Sequence, residues 1–256
     1  MQSYETLVVG VGEVGGALAD VIERTFPVWR QDLDPLDYSG PVDVMHLCIP
    51  YRSAEQFEEA ALHYLERFKP RLTIINSTVL PGTTRSIARR GGNRVAFSPV
   101  RGKHANMKRD LIYYEKFIAA PDPDAARAAS DFFQAIGMRT RHIAQVEALE
   151  LAKLAETTYF GTLIAFAQEL NRYAGRLGVD YEQVIGFFEE IKFLPPTRYF
   201  PGFIGGHCVI PNIHLLQRIA PSVLLDAILE SNQRRAAELG MTSASERPRE
   251  TGVQDG

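Results

Sequence analysis

A chain of 256 residues, 45% hydrophobic and 23% charged, has enough apolar material for one large or two modest packed domains. Its formal net charge of −3 gives no global cationic field, and no apolar run reaches the roughly 20 residues that span a bilayer, so neither nucleic acid nor a membrane is the expected partner. Two cysteines, Cys48 and Cys208, cannot form a disulfide framework, and the N-terminus lacks the pattern of a signal peptide, so a cytoplasmic location is expected. Through residue 144 the short apolar runs TLVVGVG, VDVMHLCIP, LTIINST, RVAFSP and KFIAA alternate with segments of helical spacing such as 54–68 and 125–136. That alternation predicts an α/β, Rossmann-like, doubly wound parallel sheet covered by helices over residues 1–144. An all-helical domain is predicted over 145–240, built on one long central helix at 146–178 that Gly178 stops, with further helices at 181–191 and 223–239. The polar segment 241–256, without aromatic residues, is expected to be a disordered tail.

The first chemical motif is LVVGVGEVGGALADVI, in which Gly10, Gly12 and Gly15 form G-x-G-x-x-G between an apolar strand and a helix. The first glycine makes the turn, the second lets backbone approach a pyrophosphate, and the third allows close helix–strand packing. Glu13 and Val14 lie in the same turn, and the helix start faces the phosphates. Asp32 follows 20 residues after Gly12, where a carboxylate accepts from a ribose diol and repels a 2′-phosphate, so NAD is the expected cofactor. Asp34 competes for that contact. Pro50, Ser77 and Thr78, at the ends of later apolar runs, complete the candidate cofactor set.

On the long helix, Glu150, Lys153 and Thr157 share one face amid Leu151, Ala152, Leu154 and Ala155. A lysine entering an apolar neighbourhood can serve as proton donor and acceptor, whereas the plainer alternative is a solvated lysine paired with Glu150 or Glu156. The stretch FPGFIGGHCVIPN frames Cys208 with glycines and with His207. Gly205 and Gly206 remove side chains where a substrate approaches sulfur, and the following residues can start a helix whose positive end favours thiolate. Cys48, inside an apolar strand, reads as a small hydrophobe. His46, His63, His142 and His214 lack metal-ligand spacing, so no metal site is expected.

Taken together, GVGEVGGALADVI, VDVMHLCIP, NSTVLPGTT, FSPVRG, ELAKLAETTYFGTLIAFAQELN, FPGFIGGHCVIPN and AILESNQRR resemble the nucleotide-sugar 6-dehydrogenases, the UDP-glucose and UDP-N-acetylmannosamine dehydrogenases, over roughly residues 5 to 235. The resemblance implies oxidation of an alcohol to an aldehyde, capture of the aldehyde by cysteine, a second oxidation to a thioester, and hydrolysis. Cys208 matches the family's nucleophile, Lys153 the lysine that moves protons and stabilises an oxyanion, and Thr78 the threonine near the reacting water. There are departures. Val100 replaces a glutamate, Thr157 an asparagine and Asn212 an aspartate; Thr157 and Asn212 join the candidate catalytic set as hydrogen-bonding groups that cannot act as general bases near neutral pH. The family's second nucleotide-binding domain, which grips the UDP, has no counterpart in this sequence. The basic segment VRGKHANMKR, with Arg101, Lys103, His104, Lys108 and Arg109, instead suggests an anionic substrate, with Arg198, Gly205 and His207 as further contacts; a solvated basic loop is the alternative.

The expectation is therefore an NAD-dependent oxidoreductase, a homodimer through its long helix, with its site in a cleft between the two domains. Two alternatives stand beside it. One is a two-electron enzyme like the β-hydroxyacid dehydrogenases, in which Cys208 only lines the pocket. The other is a cofactor-binding subunit without turnover.

Overall fold

The computed structural model describes residues 3–34, 36–92, 94–102, 106–188, 191–192, 194–195 and 197–241. Lys103, His104 and the tail from 242 lie outside the described residues. These residues form two compact units that divide after Lys153.

In the first unit, strands β1 (Thr6–Val9), β2 (Val28–Gln31), β3 (Val44–Leu47), β4 (Leu72–Ile75) and β5 (Val95–Phe97) form one sheet in the order β2-β1-β3-β4-β5. Every pairing is parallel. Helices α1 (Glu13–Ile22), α2 (Ala54–Phe68) and α3 (Thr83–Gly91) make the crossovers. Side-chain alternation sends Val8 and Ile74 to one face, against α1 and Phe132 and Phe133 of α5 (Pro123–Ala135). It sends Leu7, Val9 and Met45 to the other, against Phe57, Ala61 and Leu65 of α2 and Ile87 of α3. Burial on both faces explains why these strands are continuous apolar runs. The doubly wound sheet read from the sequence is thus present.

Three elements differ from the expectation. β6 (Lys116–Ile118) pairs in parallel with β7 (Thr140–His142), a strand the sequence did not signal, and meets the main sheet through an antiparallel bridge between Phe97 and Ala119. Such an edge on a parallel sheet is common. The basic segment contains helix α4 (Met107–Tyr113), so Lys108 and Arg109 stand on a helix, with Lys108 paired to Asp20. The helix expected at 181–191 ends much earlier.

The long helix α6 runs Val146–Leu177. Its first turns belong with the sheet, because Val146 and Leu149 enter the core of the first unit. In the second unit α6 continues beside α7 (Tyr181–Gly186), α8 (Val209–Ile219) and α9 (Val223–Glu238). Ala165, Ile204, Val209, Ile213, Leu225 and Ile228 form its main core. Gly161 permits the close approach of α6 and α8, since a Cβ there would lie 2.6 Å from Val209 Cγ1.

Candidate functional site

In the first unit the strand register aligns Val9 with Gln31 and Leu47, and Leu47 with Ile75, so the loops after four strands leave one edge of the sheet together. Gly10–Gly12, Asp32, Cys48–Pro50 and Ser77–Thr78 are on those loops. The chain's order switches between β1 and β3, where open α/β sheets bind ligands outside the carboxyl ends of their strands.

The three glycines divide the work. Gly10 has φ +85°, and a Cβ there would meet Cys48 O at 2.7 Å; a Cβ on Gly15 would meet Gly10 O at 1.8 Å. Both glycines are required by the chain's own packing. Gly12 is different: it is the N-cap of α1, it has φ −72°, and nothing lies within 4 Å of its Cβ position. The space in front of the helix start therefore suits an approaching phosphate, and the residues present fit a dinucleotide.

Around that turn, Glu13, Asp32, Asp34 and Pro50 are exposed and Val14 is half-buried. Gln31, buried at the end of β2, organises the acidic loop: its Nε2 donates to Asp32 O (2.5 Å) and Asp34 O (2.8 Å), and its Oε1 accepts from Leu36 N (2.8 Å). Ser77 Oγ donates to Ile49 O at 2.6 Å, tying the loop after β4 to the loop after β3. Thr78 is half-buried beside it.

Beneath these loops is a buried polar cluster that sequence reasoning missed. His46 Nδ1 is 2.9 Å from Asn76 Oδ1, and Asn76 Nδ2 donates to Ser98 O at 2.7 Å. Burial holds His46 down at about 4, so it is neutral. Lys116, only 4% exposed, donates to Ser98 O (3.2 Å) and Pro99 O (3.3 Å), with Nζ 5.0 Å from the Phe133 ring centre. Burial lowers Lys116 to about 7, and the charges of Arg101 and Lys153 push it the same way. Arg101 and Lys153 thus share an electropositive neighbourhood. Val100 is buried in the core. The Arg101 guanidinium is held by Glu115 O at 2.6 Å and lies over Phe117, 4.5 Å from its centre. Cys48 is partly buried, and burial pushes its thiol up to about 12, in keeping with a small hydrophobe.

Lys153 is half-buried, one turn beyond Glu150. Glu150, with 0% exposure, accepts from Gly82 N at 2.6 Å, Thr84 N at 2.9 Å and Thr84 Oγ1 at 2.7 Å. Its carboxylate turns to the start of α3.

The second unit holds the cysteine. Cys208 is the half-buried N-cap of α8, where the first-turn amides favour negative charge. Gly206 has φ +77°, a left-handed turn that favours glycine, while His207 and Arg198 are exposed. Asn212 N donates to Cys208 O at 3.2 Å. Asn212 Nδ2 donates to Thr157 Oγ1 at 2.8 Å, and that hydroxyl donates to Leu154 O at 3.1 Å. Two of the three residues that depart from the resembling pattern, Thr157 and Asn212, are therefore bonded to each other, both buried, and join α6 to the cysteine helix. Sequence reasoning also missed the clamp on the preceding segment. Asn232 accepts from Ile204 N (2.7 Å) and donates to Ile204 O (3.0 Å), and Gln168 Nε2 donates to Gly202 O (2.6 Å). The signal was present in AQELN and ESNQRR, but only the folded partners show what it does. Among the described residues no group of three His, Cys, Asp or Glu side chains is placed to hold a metal, and no helix is long and apolar enough to cross a membrane.

Comparison with known proteins bears on both units. The structure of the UDP-D-ManNAc dehydrogenase from Pyrococcus horikoshii superposes with a TM-score of 0.81 at 21% identity, over 92% of this chain and 70% of that one. The 3-hydroxyisobutyrate dehydrogenase of Mycobacterium tuberculosis superposes with a TM-score of 0.73 at 15% identity, over 93% of this chain and 95% of that one. These likenesses establish the fold, a Rossmann-like parallel sheet followed by a helical unit, and nothing beyond it. In sequence, the UDP-N-acetyl-D-mannosamine dehydrogenase of Methanocaldococcus jannaschii is 28% identical over 182 residues, which is 65% of this chain but 42% of that relative. Residues 147–234, which carry Lys153, Thr157, Cys208 and Asn212, match the UDP-glucose/GDP-mannose dehydrogenase family, central domain. In that central segment, about a third of the chain, the sequence is similar to the UDP-glucose/GDP-mannose dehydrogenase family.

Proposed function

We propose that this chain is an NAD-dependent dehydrogenase that oxidises the alcohol of an anionic substrate, in the first instance a nucleotide-activated sugar, through an aldehyde. The observation that carries this reading is that one chain joins a glycine turn, open at Gly12, to a family central domain with Lys153 and Cys208 at the motif positions. NAD would be held by Gly10, Gly12, Glu13, Val14, Gly15, Asp32, Pro50, Ser77 and Thr78, and would supply a hydride acceptor. Lys153 takes the proton of the substrate hydroxyl as the carbonyl forms. Cys208 Sγ, as thiolate at the start of α8, bonds to the aldehyde carbon, and the oxygen of that adduct takes a proton from Lys153. A further oxidation, for which a second NAD would accept the hydride and Lys153 would take back the adduct's hydroxyl proton, leaves an acyl group on Cys208 as a thioester, which water releases as the acid with the thiol restored. Thr157 and Asn212 can orient that water but cannot deprotonate it near neutral pH.

Anion recognition falls to Arg198, to Lys103 and His104, and to the electropositive setting of Lys153. A homodimer and a cytoplasmic location belong to the same reading. The dimer draws support from Phe160, Phe166, Tyr173 and Leu177, which α6 leaves exposed. Mixing purified chain with NAD and UDP-N-acetyl-D-mannosamine, UDP-glucose or 3-hydroxyisobutyrate should yield NADH with a nucleotide sugar, and Lys153→Ala should lower kcat by about 10²–10⁴. No NADH from any of them would sink the proposal. NADH from the hydroxy acid alone would favour the two-electron alternative, which the end-to-end fold match to the 3-hydroxyisobutyrate enzyme keeps in view.

A further inference from the structure

Glu150 is a fully buried carboxylate to which the chemistry above gives no task. Its three hydrogen bonds all reach across to the segment after β4, to Gly82 N, Thr84 N and Thr84 Oγ1. Helix α3 has no side-chain cap of its own: its N-cap is Gly82, with φ +97°. The positive φ turns the chain so that Gly82 N and Thr84 N converge on one acceptor, and Thr83 Oγ1 closes the turn by donating to Leu80 O at 2.7 Å. A carboxylate from another helix thus does what an N-cap side chain normally does. Thr78 lies four residues before Gly82, and Lys153 lies three residues after Glu150 on the same helical face.

We propose that Glu150 is a positioning residue, which locks the loop bearing Thr78 and the turn of α6 bearing Lys153 into a single register; its importance for turnover rests on the role given above to Lys153. Two carboxylate oxygens gripping two amides and a hydroxyl fix both the rotation of α6 and its height against α3. Glutamine in its place keeps the size but must turn an NH2 group toward one of those donors.

The test compares wild type, Glu150→Gln and Thr84→Val in the full chain. Hydrogen exchange reads the amides of Gly82 and Thr84, competitive acetylation reads Lys153, and kinetics use UDP-N-acetyl-D-mannosamine. In Glu150→Gln the two amides should exchange at least tenfold faster and the Lys153 acetylation rate should change at least threefold. The value of kcat should fall at least tenfold, and because the loop bearing Thr78 belongs to the cofactor set, the KM for NAD should rise as well. Thr84→Val, which removes one of the three bonds, should fall between, and it carries the same readouts if Glu150→Gln does not fold. Unchanged exchange at Gly82 and Thr84 would overturn the clamp. Faster exchange with unchanged Lys153 acetylation would reduce Glu150 to a cap and overturn the positioning role. Full activity in Lys153→Ala would sink the reading of the lysine by itself, leaving exchange and acetylation to judge the clamp.

Discussion

Cys48 and Cys208 carry the same thiol into different settings. Burial pushes Cys48 up to about 12, so at pH 8 its thiolate fraction is on the order of 10⁻⁴, whereas Cys208 stands at the start of α8. Iodoacetamide should therefore alkylate Cys208 much faster than Cys48, as peptide mass spectrometry would show; equal rates would mean that the glycines frame a structural thiol. His46 offers a second test. Its folded value of about 4 is below its ordinary 6.5, so between these values the unfolded chain binds more protons, and stability falls as pH drops through that window. Lys116, held at about 7, titrates above it. Urea unfolding should show a lower midpoint at pH 5 than at pH 7, and His46→Gln should narrow that difference; an unchanged difference would refute the assignment. At this scale the sequence was legible where spacing is local. Gly10, Gly12 and Gly15 declare themselves within six residues, but the partners of Glu150 lie 66 and 68 residues away, and nothing near Lys116 in sequence announces that Ser98 and Pro99 will cover it.

Among the elements, the start of α1 separates structural from functional glycine. Gly15→Ala places a Cβ 1.8 Å from Gly10 O and must shift the strand–helix turn, so it should lower stability by about 1–3 kcal/mol. Gly12→Val meets open space at ordinary φ and should leave the thermal midpoint nearly unchanged while abolishing NAD binding by calorimetry. A Gly12→Val protein that still binds NAD would remove the phosphate site from this turn. The long helix was readable almost to the residue because its apolar spacing is sustained and a glycine ends it; α6 closes at Leu177, just before Gly178. Helix α4 was not readable, since its seven residues bury only Met107, Asp110 and Leu111 and its charges look like those of a loop. Strand β7 escaped for a similar reason: Thr140, Arg141 and His142 show no apolar alternation.

For the whole molecule, the shared fold spans nearly the entire chain, whereas sequence identity extends over 42% of the archaeal relative's length, so activity and assembly are matters for direct measurement. Under the proposed homodimer, sedimentation at micromolar concentration should give a dimer held through the aromatic and aliphatic side chains that α6 leaves exposed; a monomer would refute that assembly. The covalent chemistry is tested most directly by counting NADH and acid formed from UDP-N-acetyl-D-mannosamine by wild type and by Cys208→Ala. The expected result is two NADH per acid from wild type, and in Cys208→Ala a loss of acid formation on the order of 10² or more with NAD binding intact. Full turnover by Cys208→Ala, with no adduct trapped on the wild-type cysteine, would contradict it.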